Sequence, residues 1–379
     1  MRSRTIGSSD IGYAIPSGDA EPPLYRSRYG GLWVDRSDAH GILDARRTRG
    51  EVSEADAELL GHFIDFGYVV FPKVVDEAVI DDYLDLFEAA WDAPPDLIWV
   101  ECQRKVVSID RKYYDKSATA SDVHSCFARA GELIFPSPVL RFLTQIYERP
   151  PVVFLTRTMR KGSEERLHFD TGGLTLTEPL SLANSWLALE DVRPFSGEFH
   201  FIPGSHHIPE LLHFGTDKGH KGDYDEHYRI LMTALRMCEE RGLKAETFMA
   251  KKGDMLIWHA DLMHGALWIQ DRQRTRKSLV AHFMPLGVMP TYVDFSKINA
   301  VPYPTGGYCT DRILHDTAPR PRASRLDGEP AAGTHRRTRP IDLWRSWVPL
   351  SVREHIPPSF AEWTRHHSPR LLDESAPLP

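Results

Sequence analysis

Between residues 151 and 285 the chain contains a series of short apolar segments. This series constrains the fold more than any other feature of the sequence. The segments are rich in β-branched, aromatic and other apolar residues, and Gly, Pro and Asp separate them. They read "PVVFLTRTM" (151–159), "LSLANSWLALEDV" (180–192), "GEFHFIPGS" (197–205), "GDMLIWHADLMHG" (253–265) and "RKSLVAHFMP" (276–285). Many short strands without intervening helices indicate a β-barrel or a β-sandwich. We therefore expect a mainly β fold.

Two amphipathic helices are predicted ahead of these strands. Ser53 with Asp56 three residues later is typical of a helix start, and Gly67 can end the same helix. The apolar residues of "LLGHFI" (59–64) give that helix one apolar face. After a short strand, the segment "DEAVIDDYLDLFEAAWDA" (76–93) has the spacing of a second amphipathic helix. We expect these helices to flank the β structure.

Composition divides the chain into three parts. Residues 1–50 show no clear period and are predicted to form an irregular N-terminal arm. Residues 51–316 are predicted to form one domain, with a helical insertion between strands at about 207–250. Residues 317–379 begin as a Pro- and Arg-rich linker and end in a tail that regains aromatic residues.

Charge and composition exclude several classes of function. Lys and Arg number 46 against 53 Asp and Glu, whereas nucleic-acid-binding surfaces normally show a basic excess. No segment approaches the about 18 apolar residues of a membrane span, and the N-terminus lacks the apolar region of a secretory signal. The four cysteines are widely separated without CxxC spacing, as expected in a reducing compartment. We expect a cytoplasmic protein that binds neither nucleic acid nor membrane; a homo-oligomer through either terminal extension stays open.

The segment "RLHFDTGG" (166–173) contains a candidate pair of metal ligands. Alternation along a strand points His168 and Asp170 to the same face. A third ligand must come from elsewhere, and "WHADLMHG" (258–265) offers His259 and His264. Two imidazoles and one carboxylate form the facial triad of non-haem iron oxygenases, but a zinc hydrolase can use the same ligands in a tetrahedral site. These residues alone therefore leave the metal open.

The order of motifs resembles the phytanoyl-CoA dioxygenase family of Fe(II)- and 2-oxoglutarate-dependent oxygenases. The resemblance extends from about residue 65 to 286 and leaves both terminal extensions uncovered. It rests on "FGYVVFPKVVDEAVID" (66–81), "LHFDTGG" (167–173), "NSWLALEDV" (184–192), "SGEFHFIPGSHH" (196–207), "KKGDMLIWHADLMHG" (251–265) and "RTRKSLVAHFMP" (274–285). The resemblance implies a double-stranded β-helix, that is, a cupin-like jelly roll, with helices packed outside.

The same resemblance implies a set of ligands and cofactors. His168, Asp170 and His264 match the iron ligands of the family, with Fe(II), 2-oxoglutarate and O2 as cofactor and cosubstrates. His264 is preferred over His259 because it is the histidine that a glycine follows. His259 is then expected to support the site without binding the metal.

Arg276 matches the arginine that anchors the distal carboxylate of 2-oxoglutarate in the family. A guanidinium suits this role because it pairs bidentately with a carboxylate and stays charged when buried. Further cosubstrate contacts are expected from Trp186, from Ser278 on the same strand face, and from Arg157 or Thr158. The chain departs from the family pattern in two ways: Ala266 replaces a serine, and one extra residue precedes Arg276. The extra residue makes Arg274 a competitor, and the following "KSLVAHF" favours Arg276.

The implied reaction is an oxidation, with hydroxylation of a small metabolite in a biosynthetic pathway as the expected outcome. No basic cluster for the phosphates of a CoA ester is present. The loop "TGGLTLTEPLS" (171–181) and the insertion are expected to contact the substrate. Two alternatives are kept. One is a 2-oxoglutarate-dependent halogenase, disfavoured because Asp170 retains the carboxylate ligand, and the other is a non-catalytic jelly-roll module that binds a metal or small ligand.

Overall fold

A computed structural model describes residues 25, 27, 30–92, 98–102, 105–208, 224–291 and 300–310. The predicted linker and tail, residues 317–379, lie outside the described residues, as does most of the N-terminal arm before residue 30. No helix in the described ranges is long and apolar enough to cross a membrane.

The α-helices flank the β structure as predicted. Their bounds are α1 Ala39–Thr48, α2 Glu54–Phe66, α3 Glu77–Asp92, α4 Ala130–Ile134, α5 Ser137–Tyr147 and α6 Tyr224–Glu240. Short 3-10 turns lie at Trp33–Asp35, Arg111–Tyr113, Val123–Cys126, Asp170–Gly172 and Ser205–His207. Helix α2 begins where the sequence predicts, because the Ser53 hydroxyl accepts the Asp56 backbone N–H at 3.1 Å. It ends at Gly67, whose φ of +75° lies in the left-handed region.

Helix α1 corrects the prediction of an irregular arm over residues 1–50. It lies inside that stretch and buries Ala39 and Leu43. The helix has only ten residues, so its apolar spacing covers too few turns to stand out in the sequence. The tertiary contacts of Leu43 supply what the pattern lacks.

The strands form one large and one small sheet. Their bounds are β1 Tyr68–Phe71, β2 Trp99–Cys102, β3 Lys105–Ser108, β4 Thr119–Ser121, β5 Pro151–Met159, β6 Ala183–Ala188, β7 Phe199–Phe201, β8 Glu246–Phe248, β9 Met255–His259, β10 His264–Ala266, β11 Ser278–Pro285, β12 Ala300–Pro302 and β13 Tyr308–Thr310. The large sheet runs β1-β9-β6-β11-β5-β4-β2-β3, with β13 pairing β5 in parallel and β12 beside β13. The small sheet runs β10-β7-β8.

The predicted insertion at about 207–250 is only partly an insertion. Helix α6 lies within it, but so does strand β8, which pairs with β7 and completes the small sheet. Three residues are too few to show an alternating pattern, so the sequence does not separate this strand from its surroundings. Hydrogen bonding to β7 is what makes these three residues a strand.

The two sheets pack against each other through alternate side chains of their strands. Trp186, Val280 and Met159 of the large sheet share one apolar cluster with Phe199 and Phe201 of the small sheet. The intervening residues of the large sheet point the other way and pack with the helices, as Leu187 and Leu279 do. The observed fold is therefore the predicted one, mainly β with flanking helices, arranged as a double-stranded β-helix.

Strand register decides which polar residues share the interior of the β-helix. Across β9, β6, β11 and β5, one layer pairs Trp258 with Asn184, Asn184 with His282, and His282 with Leu155. Ser278 opens β11 on the same interior face, four residues before His282. These layers carry the side chains around the candidate site.

Candidate metal centre

The structure brings His168, Asp170 and His264 together. One ligand atom of each lies within 4.8 Å of the others, and all three residues are buried. His168 Nε2 lies 3.7 Å from Asp170 Oδ1, and His264 Nε2 lies 3.4 Å from Asp170 Oδ2. Within the described ranges, no other group of three His, Cys, Asp or Glu side chains has this geometry. The sequence-predicted ligands therefore form the candidate metal centre.

A close pairing of two segments holds the histidines in place. The His168 N–H donates to the His264 carbonyl at 2.9 Å, and the His264 N–H donates back to the His168 carbonyl at 3.1 Å. A Cβ at Gly265 would lie 2.8 Å from the Glu165 carbonyl oxygen, so only glycine permits this approach. The predicted "HG" pair thus has a structural reason.

Backbone carbonyls orient both imidazole rings. His168 Nδ1 donates to the Arg166 carbonyl at 2.8 Å, and His264 Nδ1 donates to the Leu262 carbonyl at 2.8 Å. Because Nδ1 of each ring is hydrogen-bonded to a backbone carbonyl, Nε2 is the atom that faces the carboxylate and can bind a metal. Burial lowers the pKa of His264 to about 4, so this ring is neutral at neutral pH.

Charge inside the centre suits a cation. Burial opposes ionisation of Asp170, but His264 and His168 outweigh it and hold the pKa of Asp170 below its ordinary value. Burial also opposes charging of His168, yet Glu165 and Asp170 raise the pKa of His168 to about 9. Without a metal this ring therefore carries a proton on Nε2 at neutral pH, and a bound cation would replace that proton. A buried ionised carboxylate beside two imidazoles is a donor set of the kind that divalent iron takes.

Two side chains fix the Asp170 carboxylate. Asn184 Nδ2 donates to Asp170 Oδ2 at 2.6 Å, and Trp258 Nε1 donates to the same oxygen at 2.8 Å. The next residue, Thr171, donates its hydroxyl to the buried Asp261 carboxylate and so ties this loop to the β9–β10 connection. Asp170 is therefore held directly by side chains from β6 and β9, and its loop is held by a third contact through Thr171.

Arg276 lies fully buried without an ionic partner among the described residues. The exposed fraction of its side chain is 1%, and its nearest polar contact is the Met159 sulfur, 3.9 Å from Nη2. Burial lowers the pKa of Arg276 to about 10, which still leaves the guanidinium charged at neutral pH. A buried charge of this kind is costly unless something pairs with it.

Arg276, Ser278 and Trp186 each have a buried donor atom without a hydrogen-bond partner among the described residues. These atoms are Arg276 Nε, Ser278 Oγ and Trp186 Nε1. The guanidinium carbon lies 5.3 Å from the centre of the Trp186 ring, and Trp186 contacts Phe199, which stacks on His264. Ring contacts thus connect this cluster to the metal centre. The residues fit a small anion with carboxylate oxygens.

Other predicted residues lie elsewhere. Arg157 lies on the interior face of β5 and forms an ion pair with Glu101 at 2.8 Å. The Thr158 hydroxyl bonds to the Tyr83 hydroxyl at 2.6 Å, on the opposite face from Arg157. Arg274 bonds to Asp271 near the surface, which leaves Arg276 as the buried arginine.

His259 is not one of the grouped ligands. Its Nδ1 accepts the Asp261 N–H at 3.0 Å, and its Nε2 lies 3.0 Å from Asp35. The ring therefore links the β9–β10 connection to the segment that precedes α1. This position fits the predicted supporting role.

Sequence reasoning missed the residues that support Asp170. Asn184 and His282 are fully interior, and His282 Nδ1 contacts Asn184 Oδ1 at 2.7 Å. Each is a lone polar residue on the apolar face of a strand, in "ANSWLA" and "SLVAHFMP". A buried polar residue in such a place needs a hydrogen-bond partner, and this was the available signal.

A family model described as Phytanoyl-CoA dioxygenase matches residues 63–270, more than half of the chain. The chain belongs to this family. Membership together with the His–Asp–His group confirms the predicted cofactor class, iron and 2-oxoglutarate with O2, and supports an oxidoreductase. No curated protein sequence matches the chain.

Two similar solved structures come from nogalamycin biosynthesis. The non-haem alpha-ketoglutarate-dependent carbocyclase SnoK has 14% identity and a TM-score of 0.50, covering 69% of this chain and 97% of that chain. The epimerase SnoN, solved with Fe3+, alpha ketoglutarate and nogalamycin RO, has 17% identity and a TM-score of 0.50, covering 68% and 99%. At these identities the likeness establishes the fold alone.

Proposed function

We propose that the chain is a non-haem Fe(II)- and 2-oxoglutarate-dependent dioxygenase that hydroxylates a small metabolite. The observation that carries this proposal is the buried Arg276, which has no ion pair among the described residues and is connected to the His168–Asp170–His264 group through the rings of Trp186 and Phe199. A metal-binding module or a zinc hydrolase needs the ligands but has no use for a buried guanidinium among unsatisfied donors. A cosubstrate with a free carboxylate accounts for both features.

One group of residues would bind the metal, and a second group would bind the cosubstrate. His168, Asp170 and His264 would hold iron, which when bound supplies the redox chemistry that couples 2-oxoglutarate decarboxylation to substrate oxidation. Arg276 would pair with the distal carboxylate of 2-oxoglutarate, and Ser278 would donate its hydroxyl to the same group. Trp186 forms the wall of this pocket through its ring. Their burial keeps water away from the reacting atoms.

The Asp170 carboxylate favours an oxygenase over a halogenase. A halogenase of this class gives up the carboxylate ligand so that a halide can take its place. Here the carboxylate is present and is held by Asn184 and Trp258. A side chain with two hydrogen-bond donors on one oxygen is not readily displaced by an anion.

The reaction outcome and the substrate are the finer parts of the proposal. The similar structures are named as a carbocyclase and an epimerase of one biosynthetic route, and this supports a small biosynthetic metabolite as the substrate class. We place the enzyme in the cytoplasm, with a small molecule as its partner and the terminal extensions as the site of any self-association.

Succinate release tests the proposed function. The protein is supplied with Fe(II), 2-oxoglutarate and O2, and a panel of biosynthetic metabolites is screened for substrate-dependent succinate formation. We expect at least one metabolite to stimulate release, and we expect chelation of the iron to stop it. Turnover that survives full chelation would contradict the iron assignment. A product carrying one added hydroxyl would separate hydroxylation from cyclisation or epimerisation.

A further inference from the structure

His282 is a buried imidazole, and one of its two ring nitrogens has no hydrogen-bond partner among the described residues. It lies on the interior face of β11, in the layer that also contains Asn184 and Trp258, and only 2% of the residue is exposed. Its Nδ1 contacts Asn184 Oδ1 at 2.7 Å, whereas its Nε2 has no partner among the described residues. A buried polar atom in this state is costly to leave unmatched.

The hydrogen bonds of Asp170 determine which nitrogen of His282 carries the proton. An ionised carboxylate only accepts, so the amide nitrogen of Asn184 must be the group that faces Asp170. The amide oxygen of Asn184 then faces His282 and requires a proton on Nδ1. In the neutral ring the remaining nitrogen, Nε2, is a lone-pair acceptor. Burial lowers the pKa of His282 to about 4, in keeping with a neutral ring.

Among the described residues, no protein donor lies within hydrogen-bonding distance of His282 Nε2. Asn184 and Trp258 both donate to Asp170, and Arg157 on the adjacent strand is ion-paired with Glu101. Leu155 lies opposite on β5 and the Phe154 ring centre is 6.2 Å away, while Asp170, His264 and His168 are near enough to influence the pKa of His282. A donor on a molecule that enters the site would satisfy this atom.

The position of His282 separates it from the cosubstrate pocket. Ser278 and His282 share the interior face of β11, four residues apart, which corresponds to about 13 Å along a strand. Arg276 and Ser278 lie at the beginning of this strand, while His282 lies level with the residues that hold Asp170. A molecule bound at His282 would thus lie at the metal end of the pocket, away from Arg276.

We propose that His282 Nε2 accepts a hydrogen bond from an O–H or N–H group of the substrate and so selects a substrate that carries such a donor beside the carbon to be oxidised. The inference rests on the proposed function, because it takes the metal end of the pocket as the substrate site. It predicts a hydroxylated or amino-bearing substrate, and it disfavours an unfunctionalised hydrocarbon chain.

Two substitutions separate the roles of the two ring nitrogens. His282→Asn keeps an amide donor near the position of Nδ1, so it retains the bond to Asn184 and removes the acceptor at Nε2. His282→Gln does the reverse, because its longer side chain places a polar atom near Nε2 and loses the donor at Nδ1. The first variant therefore tests substrate contact, and the second tests support of Asp170.

The direct test is nuclear magnetic resonance of protein labelled with 15N-histidine and loaded with Zn(II) and 2-oxoglutarate. The His282 signals are assigned by their loss in His282→Asn. The probes are cyclohexanol, which donates a hydrogen bond, and cyclohexanone, which has nearly the same shape but only accepts. We expect a neutral ring with unprotonated Nε2, and a saturable shift of that nitrogen with cyclohexanol alone.

A protonated Nε2, or equal responses to the two probes, would overturn the proposal. Succinate release by the Fe(II)-loaded wild-type protein reports on the proposed function separately, so the two failures are distinguishable. With a substrate from the metabolite screen, His282→Asn should raise KM roughly 2- to 12-fold, as for loss of one neutral hydrogen bond. His282→Gln should leave that KM nearly unchanged and weaken Zn(II) binding instead. The reverse pattern would assign His282 to support of Asp170 only.

Discussion

Asp170 and Arg276 are both buried charges in the interior of the β-helix, and they differ in how their hydrogen bonds are met. One oxygen of Asp170 accepts two hydrogen bonds, from Asn184 and Trp258, and two imidazoles lie close by. Among the described residues, Arg276 has a sulfur contact and the Trp186 ring but no ion pair, and the Ser278 hydroxyl has no hydrogen-bond partner. The satisfied carboxylate is fixed in place before any ligand arrives, whereas the unsatisfied guanidinium indicates where a ligand completes the site.

The largest effect is expected from removal of a metal ligand. His168→Ala or His264→Ala leaves one imidazole and one carboxylate, so we expect iron stoichiometry near zero and no substrate-dependent succinate release. The fold should persist because the main apolar core lies outside the centre. Iron analysis and circular dichroism check both points.

His259→Ala is the matched control for the ligand variants. His259 lies near His264 in sequence but contacts Asp35, so its loss should lower stability and leave iron bound. Loss of iron in His259→Ala with retention in His264→Ala would reverse our assignment of the third ligand.

A large effect on cosubstrate binding is expected from Arg276→Ala. Removing the charged partner of a buried carboxylate costs about 2–5 kcal/mol, so the Kd for 2-oxoglutarate should rise roughly thirty- to several-thousand-fold. Iron binding should be unchanged because Arg276 contacts no ligand. Arg274→Ala, which removes an ion pair with Asp271 and a hydrogen bond to the Pro194 carbonyl near the surface, should have little effect on 2-oxoglutarate binding. Anaerobic titration of 2-oxoglutarate measures both variants, and a larger effect at Arg274 would contradict the placement.

A smaller effect, on metal affinity, is expected from Asn184→Ala, which removes one of the hydrogen bonds that Asp170 accepts. Asp170 would lose one of its two donors and its fixed orientation, and such losses typically lower metal affinity about 10- to 100-fold. Ser185→Ala is the control, since Ser185 is also buried but points to the opposite face of β6. Competition with a chelator of known affinity gives the iron Kd. Equal Kd values for the two variants would show that Asp170 does not depend on Asn184.

The smallest effect is expected from Ser278→Ala. Its hydroxyl would contribute one hydrogen bond to a carboxylate that Arg276 already holds. We expect the Kd for 2-oxoglutarate to rise roughly 2- to 12-fold, the range for a single neutral hydrogen bond. A rise as large as that of Arg276→Ala would move the anchor of the carboxylate from the guanidinium to the hydroxyl.

The metal ligands and Arg276 differ from the residues that support Asp170 in how well the sequence predicts them. His168 and Asp170 could be proposed from their residue types and spacing, whereas the choice of His264 and the role of Arg276 came from the resemblance of their motifs to the family. Asn184 and His282 could not be proposed, because they meet Asp170 only through the register of β6, β9 and β11, which single segments do not encode.

Some elements of the fold could also be predicted from the sequence, and others could not. The mainly β architecture followed from the apolar segments, and α2 was bounded by its own cap and its terminal glycine. Helix α1 and strand β8 were missed because each is short and is stabilised by partners distant in sequence. Tertiary contacts decide such elements, so local pattern alone gives no basis for them.

The most direct test of the central claim is the absorbance of the wild-type protein with Fe(II) and 2-oxoglutarate under anaerobic conditions. Chelation of the iron by the cosubstrate gives a weak visible charge-transfer band. We predict that the band appears at near-stoichiometric 2-oxoglutarate in the wild type, and only at far higher 2-oxoglutarate in Arg276→Ala. An iron-loaded wild-type protein that shows no band at saturating 2-oxoglutarate would contradict the account.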